Sequence, residues 1–216
     1  MLTRYVFFSL LLSFAAALPA QLLMTNPQEI SDDHRYRDSK GSAYLLPEFT
    51  AGTVYAADGT PTPVDKINYN AESGLMEVRL LNQYVELTPN EYPKVIFRLM
   101  DGTERTLVYG LHPVLSKAYG ETIHEGEKGT AIAVQRVKEE IKVVQTPGKA
   151  TEMRNLVATT EDYLLIGQDL RRVRRNPKSL AEALGRSEDE LKQQLKKAKV
   201  KLKKDEGYQQ ALELIL

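Results

Sequence analysis

PVDKINYNAESGLMEVRLLNQYVELTPNEYPKVIFRLMDGTERTLVYG, residues 63–110, is a run of short alternating segments broken by turn residues. Within Gly74–Leu81, Met76, Val78 and Leu80 fall on one side and Glu77 and Arg79 on the other. Successive side chains of a strand point to opposite faces, so this pattern predicts a half-buried strand. Ile67 and Tyr69 alternate in the same way with Lys66, Asn68 and Asn70. Asn70-Ala71-Glu72-Ser73-Gly74 between them has the composition of a hairpin loop. Leu81-Asn82-Gln83 suits a tight turn into Tyr84–Leu87, and Thr88–Pro93 interrupts the pattern. Val95, Phe97 and Leu99 then resume it. Asp101-Gly102 marks a two-residue turn, because both residue types tolerate left-handed backbone. Arg105, Leu107 and Tyr109, alternating with Thr106 and Val108, complete that hairpin. With Thr53-Val54-Tyr55 and Asp58-Gly59 upstream, about six strands are expected in 50–110. The fold class predicted is mainly β: an antiparallel sheet, sandwich or partial barrel, with a small α-helical C-terminal subdomain.

Outward from this stretch the signals change. Leu111–Lys128 reads as a long connection with at most a short strand, a place where sites are often found. In Thr130–Val144 the spacing of Ile132, Val134, Val137, Ile141 and Val144 partly fits a helix, but β-branched content favours strand. Leu156–Thr159 and Tyr163–Ile166 are expected to form a hairpin about Thr160-Glu161-Asp162, followed by a turn at Gly167 into Leu170–Val173. Asn176 is a suitable N-cap, Pro177 suits the first helical position and Gly185 suits a stop. Ser187-Glu188-Asp189-Glu190 has the form of a capping box for a second helix. Tyr208, Leu212 and Ile215 suggest a third. Each is too short to stand alone and should pack on its neighbours or the sheet.

At the other end, Arg4, an apolar run from Tyr5 to Phe14 and the small residues of Ala15–Ala20 predict a secretory signal. Cleavage is expected after Ala20, leaving Gln21, with Ala17 as the alternative. The run is too short to span a bilayer, and no second long apolar stretch follows. The expected organisation is therefore a signal peptide at 1–20, a flexible leader at 21–40, an antiparallel β domain at 41–175 and a helical subdomain at 176–216. Export to the periplasm, cell surface or medium follows from the signal.

The motif Gly41-Ser42-Ala43-Tyr44-Leu45, then Phe49, Gly52-Thr53-Val54-Tyr55, Asp58-Gly59, Ile67-Asn68-Tyr69-Asn70 and Met76-Glu77, resembles an uncharacterised family of exported Bacteroidetes proteins. Members of that family combine a β-meander with a charged helical tail, which Asn176–Leu216 resembles. The resemblance implies export and the β-plus-tail fold. It implies no chemistry.

Composition narrows the chemistry further. The absence of cysteine among the 216 residues excludes disulfides, thiol nucleophiles, thiolate metal sites and a lipidated cysteine. His34, His112 and His124 stand far apart, without a metal-ligand spacing, and read as surface or loop residues. No Gly-x-Ser-x-Gly elbow and no phosphate-cradling Gly-rich loop with Lys is present. No cofactor and no metal are expected. Formal charge is zero overall, which with export argues against nucleic-acid binding.

The charge is unevenly placed. Residues 171–204 carry thirteen Lys and Arg against four Asp and Glu, while 21–170 carry fifteen against twenty-two. Arg171, Arg172, Arg174 and Arg175 are the densest feature and the candidate anion- or partner-binding residues. Arginine's rigid fork suits planar anions, and a helix start adds backbone donors beside it. The plainer reading is a basic stretch facing the chain's own acidic body. The function these features imply is an exported, non-enzymatic binding or structural module of the cell envelope, with an envelope protein or anionic ligand as partner. The alternative is a carboxylate-dependent hydrolase or lyase with its site near 111–128. Self-association through an open sheet edge is a third reading.

Overall fold

The computed structural model describes residues 29–31, 36, 39–80, 83–146 and 149–216. The expected signal at 1–20, most of the leader, Leu81 and Asn82 of the expected turn, and Pro147 and Gly148 lie outside the described residues. Six strands occupy 50–110, as the alternation predicts: β3 (Thr50–Tyr55), β4 (Pro61–Asn70), β5 (Leu75–Leu80), β6 (Gln83–Leu87), β7 (Lys94–Arg98) and β8 (Glu104–Tyr109). Both Asp-Gly turns form. Gly59 and Gly102 take φ of 86° and 84°, and Asp58 and Asp101 accept hydrogen bonds from the backbone N–H of Thr60 and Thr103 at 2.8 and 2.9 Å.

Before them lie two three-residue strands, β1 (Glu29–Ser31) and β2 (Ser39–Gly41). After them come β9 (Tyr119–Gly126), the 18-residue β10 (Gly129–Thr146) and β11 (Lys149–Ile166), and β12 (Asp169–Val173). All join one sheet in the order β1-β6-β5-β4-β3-β7-β8-β9-β10-β11-β12, with β2 added parallel to β11. Every other pairing is antiparallel, so the chain is mainly β with an open sheet.

Three expectations are corrected here. Leu111–Lys128 is a connection only as far as a 3-10 turn at Pro113–Leu115; its second half is the eight-residue β9. Thr160–Asp162 is not a turn but mid-strand in β11, opposite Gln135, Val134 and Ala133. Polar residues there mimic a loop because one face of this strand meets a polar groove. Glu77 is fully buried rather than on a solvated face. It accepts hydrogen bonds from Asn70 Nδ2 at 2.7 Å and Tyr44 Oη at 2.8 Å.

The sheet curls. Tyr69 in β4 and Tyr119 in β9 are four strand steps apart, a span of about 19 Å in a flat sheet. Their ring centroids are 5.7 Å apart. The face bearing them is therefore concave. It holds Val54, Ile67, Met76, Val78, Leu87, Phe97 and Leu107 as one buried cluster. Register shifts in β3 at Thr50–Gly52 and in β10 at Ala131–Ile132 supply local bending.

The segment after β2 laces this curl. β2 pairs with β11, and the chain then crosses so that Leu45 N–H donates to Tyr69 and Ala43 accepts from Ala71 N–H. Val137 of β10 donates to Ala71 across the same gap at 3.3 Å. Gly41 sits at the crossing with φ 91°, where an added Cβ would lie 2.3 Å from the Leu156 carbonyl oxygen. Gly41→Ala is expected to destabilise by about 1–3 kcal/mol, through left-handed strain and backbone clash together. Urea denaturation monitored by circular dichroism measures it; an unchanged midpoint would show that the lace contributes nothing.

Three helices follow: α1 (Pro177–Leu184), α2 (Glu188–Lys197) and α3 (Asp205–Ile215). Asn176 caps α1 by accepting from Ser179 N–H at 2.9 Å, and Gly185 ends it at φ 65°. Ser187 precedes α2 as expected but makes no side-chain cap bond, so the capping box is not formed. Leu180, Leu191, Leu195, Leu212 and Ile215 are buried together with Ala131, Leu164 and Val173 of the sheet. The helices thus cover the β9–β12 end of the concave face.

Candidate functional site

Period two sets which polar side chains share the concave face. Arg105 is in phase with Leu107, Glu121 with Tyr119, Gln135 with Ala133, and Asp162 with Leu164. Register then aligns them. Leu107 lies opposite Glu121, Glu121 opposite Ala133, Gln135 opposite Thr160, and Asp162 opposite both Ala133 and Val173. The result is a polar belt between the apolar cluster of β3–β9 and the cluster under the helices.

Two ion pairs organise the belt. Arg105 Nε donates to Glu121 Oε1 at 2.8 Å and its Nη2 to Oε2, with both side chains less than a third exposed. The guanidinium pKa is pushed up, first by those hydrogen bonds and further by the Glu121 and Asp205 charges, against opposing desolvation. Asp205 therefore acts on Arg105 from the start of α3. Arg175 donates from Nε and Nη2 to Asp162 at 2.8 and 3.3 Å and from Nη1 to Asp205. Its guanidinium also stands 4.6 Å from the Tyr208 ring centroid, a cation–π distance. Its pKa is raised, chiefly by the Asp162 hydrogen bond.

Between sheet and α3 these residues enclose a groove of about 620 Å³, with Arg105, Glu121, Gln135, Thr160, Asp205 and Tyr208 among its walls. Beneath it lies a cavity of about 40 Å³ that reaches Tyr69 and Tyr119. Arg105, Glu121, Ala133, Gln135 and Thr160 line both.

Three buried phenols surround these spaces. Tyr119 donates to the Tyr92 carbonyl at 2.7 Å. The hydroxyls of Tyr69 and Tyr208 have no hydrogen-bond partner among the described residues. The Tyr119 backbone lies near enough to Tyr69 to favour its ionised form slightly, without hydrogen-bond geometry. Burial raises the pKa of all three phenols. Above about pH 10 the unfolded chain ionises these phenols while the folded chain holds them neutral. Stability should therefore be full below that pH and fall as pH rises toward the folded values. Urea midpoints across the alkaline range measure this, and Tyr119→Phe should flatten the decline.

The arginine stretch is divided by the register. Arg171 lies on the helix side, donating to the Ala183 carbonyl near the end of α1 at 2.7 Å, where the helix dipole favours a cation. Arg172 pairs with Glu161 at 2.8 Å on the convex side. Arg175 is held by Asp162 and Asp205 as described. The Arg174 side chain has no such partner among the described residues. Arg172, Arg174 and Arg175 border a second hollow of about 520 Å³ with Glu161 and Ser179. Acids of the body thus take up Arg172 and Arg175, while Arg171 is shared between the Ala183 carbonyl and Asp169 at 3.4 Å.

His112 is tied into its own turn, Nδ1 accepting from Val114 N–H at 3.2 Å, and His124 sits in β9; His34 is outside the described residues. Among the described residues no group of three His, Asp or Glu could hold a metal ion, and no helix is long and apolar enough to cross a membrane.

Of the groove residues, sequence reasoning singled out Arg175 and the 111–128 stretch that holds Glu121, and it missed the rest because they come from four strands and a helix. One signal was present: Arg105, Glu121, Gln135 and Asp162 are polar at positions whose phase is otherwise apolar. In comparison with known proteins, no family model matches this chain, no curated protein matches it, and no solved structure matches its fold.

Proposed function

We propose that the protein is an exported, non-enzymatic binding module of the cell envelope, and that its ligand occupies the concave-face groove. The observation that carries this reading is the state of the groove's acids. Glu121 is held bidentately by Arg105, Asp205 takes one nitrogen of Arg175, and Glu104 lies 3.8 Å from Arg98. General acid–base work needs a carboxyl free to exchange a proton within reach of substrate. Carboxylates locked to guanidiniums instead form a rigid, polar, preorganised wall. The groove's volume lies in the range of ligand sites, about 300–1,000 Å³. Export rests on the pattern of Met1–Ala20 and accords with the absence of cysteine. Arg174 remains the proposed contact for an anionic envelope partner.

The second reading, a carboxylate-dependent hydrolase or lyase near 111–128, is favoured by one observation: Glu121 of that stretch reaches the groove. Cell fractionation with N-terminal sequencing, then native mass spectrometry of the recovered protein, separates the readings. The expected result is an envelope-fraction chain beginning at Gln21, carrying a molecule that is lost when Ala133→Phe fills the groove floor. A cytosolic chain retaining Met1, or substrate turnover abolished by Glu121→Gln, would reject the binding-module reading.

A further inference from the structure

The groove is closed upon itself in charge but not in hydrogen bonds. Arg105 spends Nε and Nη2 on Glu121, and Arg175 spends all three nitrogens on Asp162 and Asp205. Cations and anions therefore alternate along the wall with each one compensated. Yet two hydroxyls remain orphaned in the same region: Tyr69 at the inner cavity and Tyr208 on the groove wall, both about 1% exposed. Buried polar groups are nearly always satisfied, so two orphans beside one groove call for a missing partner.

Resting on the binding-module reading above, we propose that the groove takes a neutral polyhydroxylated ligand, a saccharide, one of whose hydroxyls enters the inner cavity against Tyr69. Charge selects this class. An anionic group would meet Glu104, Glu121 and Asp205, and a cationic one Arg105 and Arg175. An anion would have to break a bidentate pair to gain a guanidinium of its own, and a cation entering the groove would have to displace Arg105 from Glu121. A hydroxyl donates and accepts from a single atom. It can take a remaining Arg105 N–H and offer its proton to a remaining Glu121 lone pair without disturbing the ion pair.

The inner cavity, about 40 Å³, has room for a small polar group such as a hydroxyl. The outer groove accommodates the body of the ligand. Gln135 and Thr160, cross-strand neighbours on the shared wall, add an amide and a hydroxyl of the same dual character. Tyr208 is the aromatic residue among the groove's described lining, and its ring already carries the Arg175 guanidinium. Binding is therefore carried by hydrogen bonds and not by stacking on a bare ring.

The test is titration calorimetry of the purified protein with maltose, cellobiose and lactose, beside glucuronic acid and glucosamine as charged probes. Saturable binding of at least one neutral disaccharide is expected. Gln135→Ala and Thr160→Ala should weaken it about tenfold, as for a hydrogen bond lost from a partly buried site. Tyr69→Phe is the decisive variant. Its melting temperature without sugar should equal or exceed that of the parent, since an orphan hydroxyl is removed, while its affinity falls by a similar factor. A lowered melting temperature with unchanged affinity would mean that the cavity holds structural water, overturning the proposal. Tighter binding of glucuronic acid or glucosamine than of every neutral disaccharide overturns the ligand class and leaves the groove as the site. So does failure of the whole panel while Ala133→Phe still releases the co-purifying molecule. If that molecule is indifferent to Ala133→Phe, the binding-module reading itself fails.

Discussion

Arg175→Ala lowers stability by about 3–5 kcal/mol, the cost expected for leaving a buried charge without its partner. Asp162 is 6% exposed, and the bidentate guanidinium is the partner its carboxylate shows. The Asp205 arm contributes little, because that carboxylate is largely exposed and screened by water. The loss comes from stranding Asp162, so the double variant Asp162→Asn/Arg175→Met should recover most of it. Urea midpoints of the single and double variants form the cycle. Equal destabilisation of Arg175→Ala and the double variant would refute the stranded-charge account. The same substitution uncovers the Tyr208 ring and frees Asp205 at the groove's edge, so saccharide affinity should change along with stability.

Leu164→Ala is the second large effect, about 2–5 kcal/mol, the range for emptying a fully buried leucine site. Leu164 is 0% exposed and joins two units: it belongs to β11, yet its cluster is mostly helical, with Leu180, Leu191 and Leu212. Helices of 8, 10 and 11 residues gain most of their stability from packing. Losing the sheet side of their core should therefore melt helices and sheet together. Far-ultraviolet dichroism and tyrosine fluorescence should report one coincident, earlier transition. A helical signal that outlasts the sheet would show that 176–216 folds independently.

Much of this architecture was legible along the chain because it is written in local periods. The alternation of Met76 and Val78 against Glu77 and Arg79, the Asp-Gly turns, and Asn176, Pro177 and Gly185 at the ends of α1 each depend on a few adjacent residues. Their physical causes, side-chain alternation and permitted φ, need no partner. Where a local signal failed, a distant contact had overridden it. Thr160-Glu161-Asp162 has turn composition, yet its backbone is taken by β10 and its side chains by the groove and its ion pairs. Glu77 has the phase of a surface residue, yet the segment leaving β2 folds over it.

The charge layout was likewise visible, an acidic body and a basic end, but not its wiring. That Arg175 meets Asp162 and Asp205, 13 and 30 residues away, follows from the β11–β12 register and the return of α3. The sequence by itself determined the six strands of 50–110, their Asp-Gly turns, the ends of α1 and which side chains of those strands share a face, because these follow from backbone sterics over a few residues. Only the tertiary structure decided that the sheet curls, that Arg105, Glu121, Gln135 and Thr160 meet across three further strand pairings, and that two tyrosine hydroxyls are buried unpaired beside them. Those depend on strand order and curvature, which arise from burying one continuous apolar face and leave no periodic mark in the chain.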